Sequence, residues 1–170
     1  VGVMLGSQFN SNWSEILLMF NAQSFGNADP QLGIDNGFYV FVLPGLRLVM
    51  SAVSMLLLMG IVFSVVTHAM MGGIRFTMPV HGRGVLAVTK RARRQIGIWL
   101  ILNMLAWSAR QVIGVFTHLT QQGDRITGAA YTTVHATIPV TFIMAAIIAM
   151  LGVFLGVWLM HSHALEGAAK

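Results

Sequence analysis

Three long runs of aliphatic and small residues set the hydropathy pattern of the chain. They are "PGLRLVMSAVSMLLLMGIVFSVVTHAMM" (Pro44–Met71), "IGIWLILNMLAWSARQVIGVF" (Ile96–Phe116) and "PVTFIMAAIIAMLGVFLGVWLM" (Pro139–Met160). Each reaches the roughly 20 mostly apolar residues that a helix needs to cross a bilayer. Backbone polar groups in hydrocarbon must be satisfied within the segment, so the runs predict helices and not strands. Pro44 and Pro139 stand where a helix start tolerates a missing N–H, and Gly72-Gly73 is a stop signal for the first run. Thr89 is a candidate N-cap, so the second helix starts ahead of its apolar part, in "TKRARRQ". A shorter pattern lies upstream. In "NSNWSEILLMF", Trp13, Leu17 and Phe20 fall on one face behind Asn12 or Ser14 as cap. Tryptophan favours the membrane boundary, so this stretch predicts a short interfacial helix near 12–20. The expected fold is all-α: a polytopic helical membrane protein with spanning helices at about 44–71, 89–116 and 139–160.

Composition agrees with the pattern. Hydrophobic residues make up 56% of the 170 residues, charged residues 9%, and the mean hydropathy is +0.75. Soluble domains carry roughly 25% charged residues, so this chain lacks the means to cover a water-facing surface. There is no cysteine, which removes disulfides, CxxC redox chemistry and thiolate metal sites. The opening "VGVMLG" is too short for a signal peptide and reads as the end of a preceding apolar helix, as in a slice of a larger membrane domain.

Charge supplies the orientation. Six of the ten Lys and Arg residues lie between the first two spans: Arg75, Arg83, Lys90, Arg91, Arg93 and Arg94. The positive-inside rule places that loop, 72–95, in the cytoplasm. The loop 117–138 and the segment 1–43, with its interfacial helix, then lie outside, and 44–170 forms the transmembrane domain. Glu15, Asp29, Asp35 and Asp124 all fall on the outer side. Basic residues beside an apolar helix are a topology signal, so "TKRARRQ" gives no ground for a nucleic-acid partner.

The helix faces carry two kinds of pattern. On the third span Thr141, Ala145, Ala149, Gly152 and Gly156 share a small-residue face suited to close helix packing. Packing within the chain is preferred there over homodimerisation. Polar residues mark the other spans: Arg47, Ser51 and Ser54 on the first, Asn103, Trp107, Arg110 and Gly114 on the second. Intramembrane charges are costly and point to function by default. Arg47 and Arg110 snorkel to headgroups, or face an outer vestibule and pair with Asp35 or Asp124, or line a substrate path with Ser51 and Asn103.

No catalytic constellation stands out. P-loop, HExxH and Gly-x-Ser-x-Gly motifs are absent, and no acid lies within a span. His161-Ser-His163 reads as an interfacial tail and not a metal site. The expectation is therefore no cofactor, no metal and no enzyme, with Asp29, Asp35 and His135 the only candidates for an interfacial site.

One stretch is far more specific than its surroundings: "FGNADPQLGIDNGFYVFVLP", residues 25–44. It resembles the FG-x-x-DP-x-x-G-x-D-x-x-FY-x-F-x-LP motif of uncharacterised protein family 0182, large bacterial integral membrane proteins. Three further segments resemble the family in order: "VTHAMMGGIRF", "VTKRARRQIGIWL" and "GAAYTTVHATIP". The resemblance implies that Asp29, Pro30, Asp35, Phe38, Tyr39, Pro44, Tyr131 and His135 belong to an extracytoplasmic motif. It also implies further spanning helices and a large external region elsewhere in such proteins. Thr133 departs from the aspartate usual in the family, and "AWSARQV" departs from its "YWLDRY"-like segment. The resemblance implies no activity. The reading at this level is a multi-pass cell-membrane segment that anchors a larger envelope protein. Its partners are the bilayer and neighbouring spanning helices, and the alternative is passage of an anionic or lipidic solute.

Overall fold

The computed structural model describes residues 2–30, 32–77, 85–120 and 131–162. Helix dominates. α1 (Gly2–Ser11) and α2 (Trp13–Phe20) are short, and α3 (Leu43–Met70), α4 (Lys90–Thr120) and α5 (Ile138–His161) are long. Three helical stretches, Phe38–Met70, Lys90–Thr117 and Thr133–His161, are long and apolar enough to cross a membrane. Their side chains explain why. Phe63 is 62% exposed, Phe154 65% and Met150 64%, and in water such a surface would be a severe liability.

The two prolines sit inside helices and do not open them. Helix is already present at Asn36–Gly37 and at Tyr131–Thr132. A π turn follows in each case, at Phe38–Val42 and at Thr133–Thr137. The N–H of Leu43 bonds back to the Phe38 carbonyl, and that of Ile138 to the Thr133 carbonyl. Each of these residues immediately precedes a proline. A proline ring clashes with the carbonyl four residues back and offers it no N–H. The wide turn moves that carbonyl aside, so the helix passes through the proline. The sequence pattern allowed a proline at a helix start. The same chemistry was also compatible with a π turn, and the fold uses it twice.

The chain divides into two compact units, Val1–Ser54 with Ala106–Ile147, and Met55–Leu105 with Ile148–Lys170. In the second unit α3 ends in a Schellman arrangement. Gly73 N–H bonds to His68 O and Gly72 N–H to Ala69 O, with Gly72 at a φ of 71°. A two-stranded antiparallel sheet follows, β1 (Ile74–Thr77) with β2 (Val85–Val88), in register Ile74 with Val88. The hydropathy pattern did not foresee this hairpin. Thr89 then opens α4, and its Oγ1 accepts the Ala92 N–H. His68 Nε2 and Gln95 Oε1 lie 2.9 Å apart and tie the end of α3 to the start of α4.

Glycines set the helix spacing in this unit. A Cβ on Gly60 would press into the Trp99 ring. A Cβ on Gly152 would overlap Met104, and one on Gly156 would overlap Ile101. Gly97 and Gly156 face each other: a Cβ on either would come within 2.9 Å of the other's carbonyl oxygen. The backbones of α4 and α5 meet there directly, which is how small residues drive packing in lipid.

In the first unit Ala145 is buried, and Ser108 Oγ donates to its carbonyl at 2.7 Å. Asn12 holds the N-cap position of α2 without a side-chain capping bond. Trp13, Leu17 and Phe20 are all exposed on α2. The Glu15 carbonyl and Met19 lie against Gly45, and a Cβ there would come within 3.0 Å of both.

Candidate functional site

The opening motif folds into a knot of hydrogen bonds around two aspartates. Asp35 takes four donors. Its Oδ2 accepts Ser24 Oγ–H and Gly26 N–H, and its Oδ1 accepts Phe25 N–H and Gly37 N–H. The Ser24 hydroxyl, then the N–H groups of Phe25 and Gly37, pull the Asp35 carboxyl down from 3.8 to about 2. Asp29 is the second hub. Its N–H bonds to Ile34 O at 2.7 Å, and its carbonyl accepts Gly33 N–H at 2.8 Å. Its carboxylate accepts Leu32 N–H at 3.0 Å and the Tyr39 hydroxyl at 3.3 Å.

Each further motif position now has a physical task. Gly26 and Gly33 adopt φ of 71° and 68°, where other residues are strained. A Cβ on Gly37 would overlap the Gln23 carbonyl. The aromatics fasten the knot to the helices. Phe25 meets Phe41 edge-on at 5.5 Å, and Phe38 meets Phe116 of α4 at 5.6 Å. Tyr39 lies 6.4 Å from the same Phe116 ring. Of the other motif residues, Pro30 is exposed, Pro44 follows the π turn, and Tyr131 stacks on His135 at 4.0 Å.

The polar faces give a second feature in the same unit. Arg47, Ser51 and Arg110 line one cleft of about 410 Å³, together with Asn12, Glu15 and Gln111. Asn103 is not among its lining residues. Asp35 is engaged within its own loop, and Asp124 lies outside the described residues, as does the His163 half of the histidine tail. Sequence reasoning named Asn12 only as a cap and Glu15 only as an outer acid, and assigned neither to this cleft. Their signal was present, since Glu15 is the one acid in an otherwise apolar short helix, but its partners across the fold were not visible. Ser24 and Phe116 were overlooked, and no local pattern marks either. The small-residue positions of α5 are held as described above, with Ala145 and Gly152 and Gly156 buried and Ala149 half-buried. Among the described residues no group of three metal-ligating side chains comes together.

Relatives place this chain in a wider context. A "UPF0182 protein" of Bifidobacterium adolescentis is 75% identical over 99% of the chain, and another, of Corynebacterium jeikeium, is 34% identical over 86%. A third, from Kocuria rhizophila, is 32% identical over 92%. The chain spans only 14% to 16% of the length of these relatives. No solved structure matches it. The profile of the Uncharacterised protein family (UPF0182) matches residues 1–168, and the chain belongs to that family.

Proposed function

We propose that this chain is a multi-pass cell-membrane segment that anchors a larger bacterial envelope protein and presents a rigid loop on the outer face. The observation that carries the reading is the apolar surface of the three long helices, with Phe63, Met150, Phe154 and Trp158 all more than half exposed. Such a surface is stable against lipid or against further spanning helices of a longer protein. The basic residues Lys90, Arg91, Arg93 and Arg94 at the start of α4 support a cytoplasmic hairpin end. No assigned activity comes with the family, and this reading is non-enzymatic.

The test has two parts. The full-length protein should stay with the membrane pellet after alkaline carbonate washing. In intact cells an impermeant thiol reagent should label Leu32→Cys and spare Arg91→Cys. Release into the supernatant would overturn the anchoring role, and the opposite labelling would overturn the orientation.

A second reading, binding of an anionic or lipidic solute, is favoured by one observation: Arg47, Ser51 and Arg110 share a cleft. With Asn103 absent from its lining, that observation supports a binding site at the helix ends more than a path along the helices.

A further inference from the structure

The cleft in the first unit has an unusual charge balance for the end of an apolar bundle. It holds two guanidiniums, Arg47 and Arg110, and one carboxylate, Glu15, a net charge of +1. Among the described residues none of the three makes an ion pair or a side-chain hydrogen bond. Glu15 thus shares the cleft without neutralising either arginine. Each guanidinium offers five N–H donors in a planar fork, and the carboxylate offers only acceptors. Arg47 and Arg110 are both exposed, so their donors can reach a ligand held in the cleft. A volume of about 410 Å³ falls within the usual range for small-molecule sites, about 300–1,000 Å³.

The donor set selects the ligand. A carboxylate has two oxygens and satisfies one fork. Two forks on separate helices match a group with more oxygens, and phosphate is the group for which arginine is best suited. Glu15 then asks for a donor next to that phosphate, and Asn12, Ser51 and Gln111 add neutral polar contacts. We propose that this cleft binds a hydroxyl-bearing phosphate ester of the phosphoglycerol type, with Arg47 and Arg110 on the phosphate and Glu15 on the hydroxyl. This deepens the solute-binding reading given above. The same chemistry occurs in soluble glycerol phosphate and in the headgroup of an anionic phospholipid.

Gly114 provides a blocking variant that keeps both arginines. It lines the cleft, and a Cβ there meets nothing within 4 Å. Gly114→Leu should therefore fold and fill the cleft, whereas Arg47→Gln and Arg110→Gln remove the anchors. Arg94→Gln, exposed at the opposite end of α4, is the control for general charge.

The experiment uses the full-length protein. In neutral detergent, glycerol 3-phosphate is titrated with thermal unfolding as the readout. In nanodiscs of phosphatidylcholine with or without phosphatidylglycerol, native mass spectrometry counts the retained lipid. The expected result is saturable stabilisation by glycerol phosphate, selective retention of phosphatidylglycerol, or both. Each should weaken at least tenfold in Arg47→Gln, Arg110→Gln and Gly114→Leu and stay unchanged in Arg94→Gln. A response in one arm alone identifies the source of the ligand and supports the site. No response in either arm overturns the proposal, and so does an equal loss in Arg94→Gln or full binding by Gly114→Leu. Carbonate extraction of the same variants reads membrane anchoring separately, so loss of anchoring and loss of the site are distinguishable.

Discussion

The stretch 24–37 and the α4–α5 contact at Gly97 and Gly156 hold their backbones together by opposite means. The loop gathers its N–H groups around two carboxylates: Asp35 alone accepts four hydrogen bonds, and Asp29 accepts from Leu32 and Tyr39. The helix contact removes side chains altogether, so that each glycine lies against the other's carbonyl. The difference follows from solvent. A turn-rich backbone has many unpaired donors, and it is tolerable only where charge and water are at hand. A helix has already paired its own backbone, so in lipid only close approach remains to be gained.

The sharpest way to break this contrast is to put a side chain into the dry contact. Gly156→Leu forces Ile101 and the Gly97 carbonyl aside, and overpacking of that kind costs about 1–3 kcal/mol or more. The full-length protein should lose its cooperative melt or unfold many degrees lower, while Gly114→Leu should melt like the parent. Equal melting of the two variants would mean that α4 and α5 do not meet at these glycines.

Removing the loop's hub should act locally. Asp35→Ala leaves the Phe25 and Gly37 N–H groups without their acceptor, and Gly26 N–H keeps only the Ser24 hydroxyl at 3.2 Å. Limited proteolysis should then cut within residues 24–37, with the melting of the helices nearly unchanged. If the loop stays resistant, its order rests on the aromatic contacts with Phe41 and Phe116 and not on the carboxylate.

Acid tests the same hub without a mutation. The folded Asp35 carboxyl lies near 2, below its ordinary 3.8. A depressed value means that the carboxylate supports the loop fully above the unfolded value. That support fades as pH falls from about 3.8 through about 2. The amide resonances of Gly26 and Gly37 should move with a midpoint near 2, and a midpoint near 3.8 would show that the bonds to Asp35 are not held in solution.

The smallest expected effect is Ser108→Ala. Its hydroxyl bonds the Ala145 carbonyl at 2.7 Å, and interhelical bonds in membranes average about 0.6 kcal/mol. A loss of several kcal/mol by reversible unfolding in detergent would show that a polar bond, and not close packing, dominates that contact.

Much of the molecule is legible in the chain itself. The three helices long and apolar enough to span, their helical identity and the basic end between the first two follow from apolar length and charge placement, because bilayer thickness and backbone satisfaction leave such a run few alternatives. The turn at Asp29-Pro30 and the stop at Gly72 are also local matters of backbone chemistry. Other features needed the tertiary structure. The π turns before Pro44 and Pro139 arise because helix on both sides of each proline must be continuous. The hairpin of β1 and β2 needs two short strands to find each other across residues whose hydropathy is unremarkable. Glu15 reaches the same cleft as Arg47 and Arg110 only because α2 lies over the start of α3, where Gly45 leaves room for it. Sequence spacing relates residues along one helix. Which faces of different helices share a cleft is decided by how closely their backbones can approach, and that is a property of the packed chain.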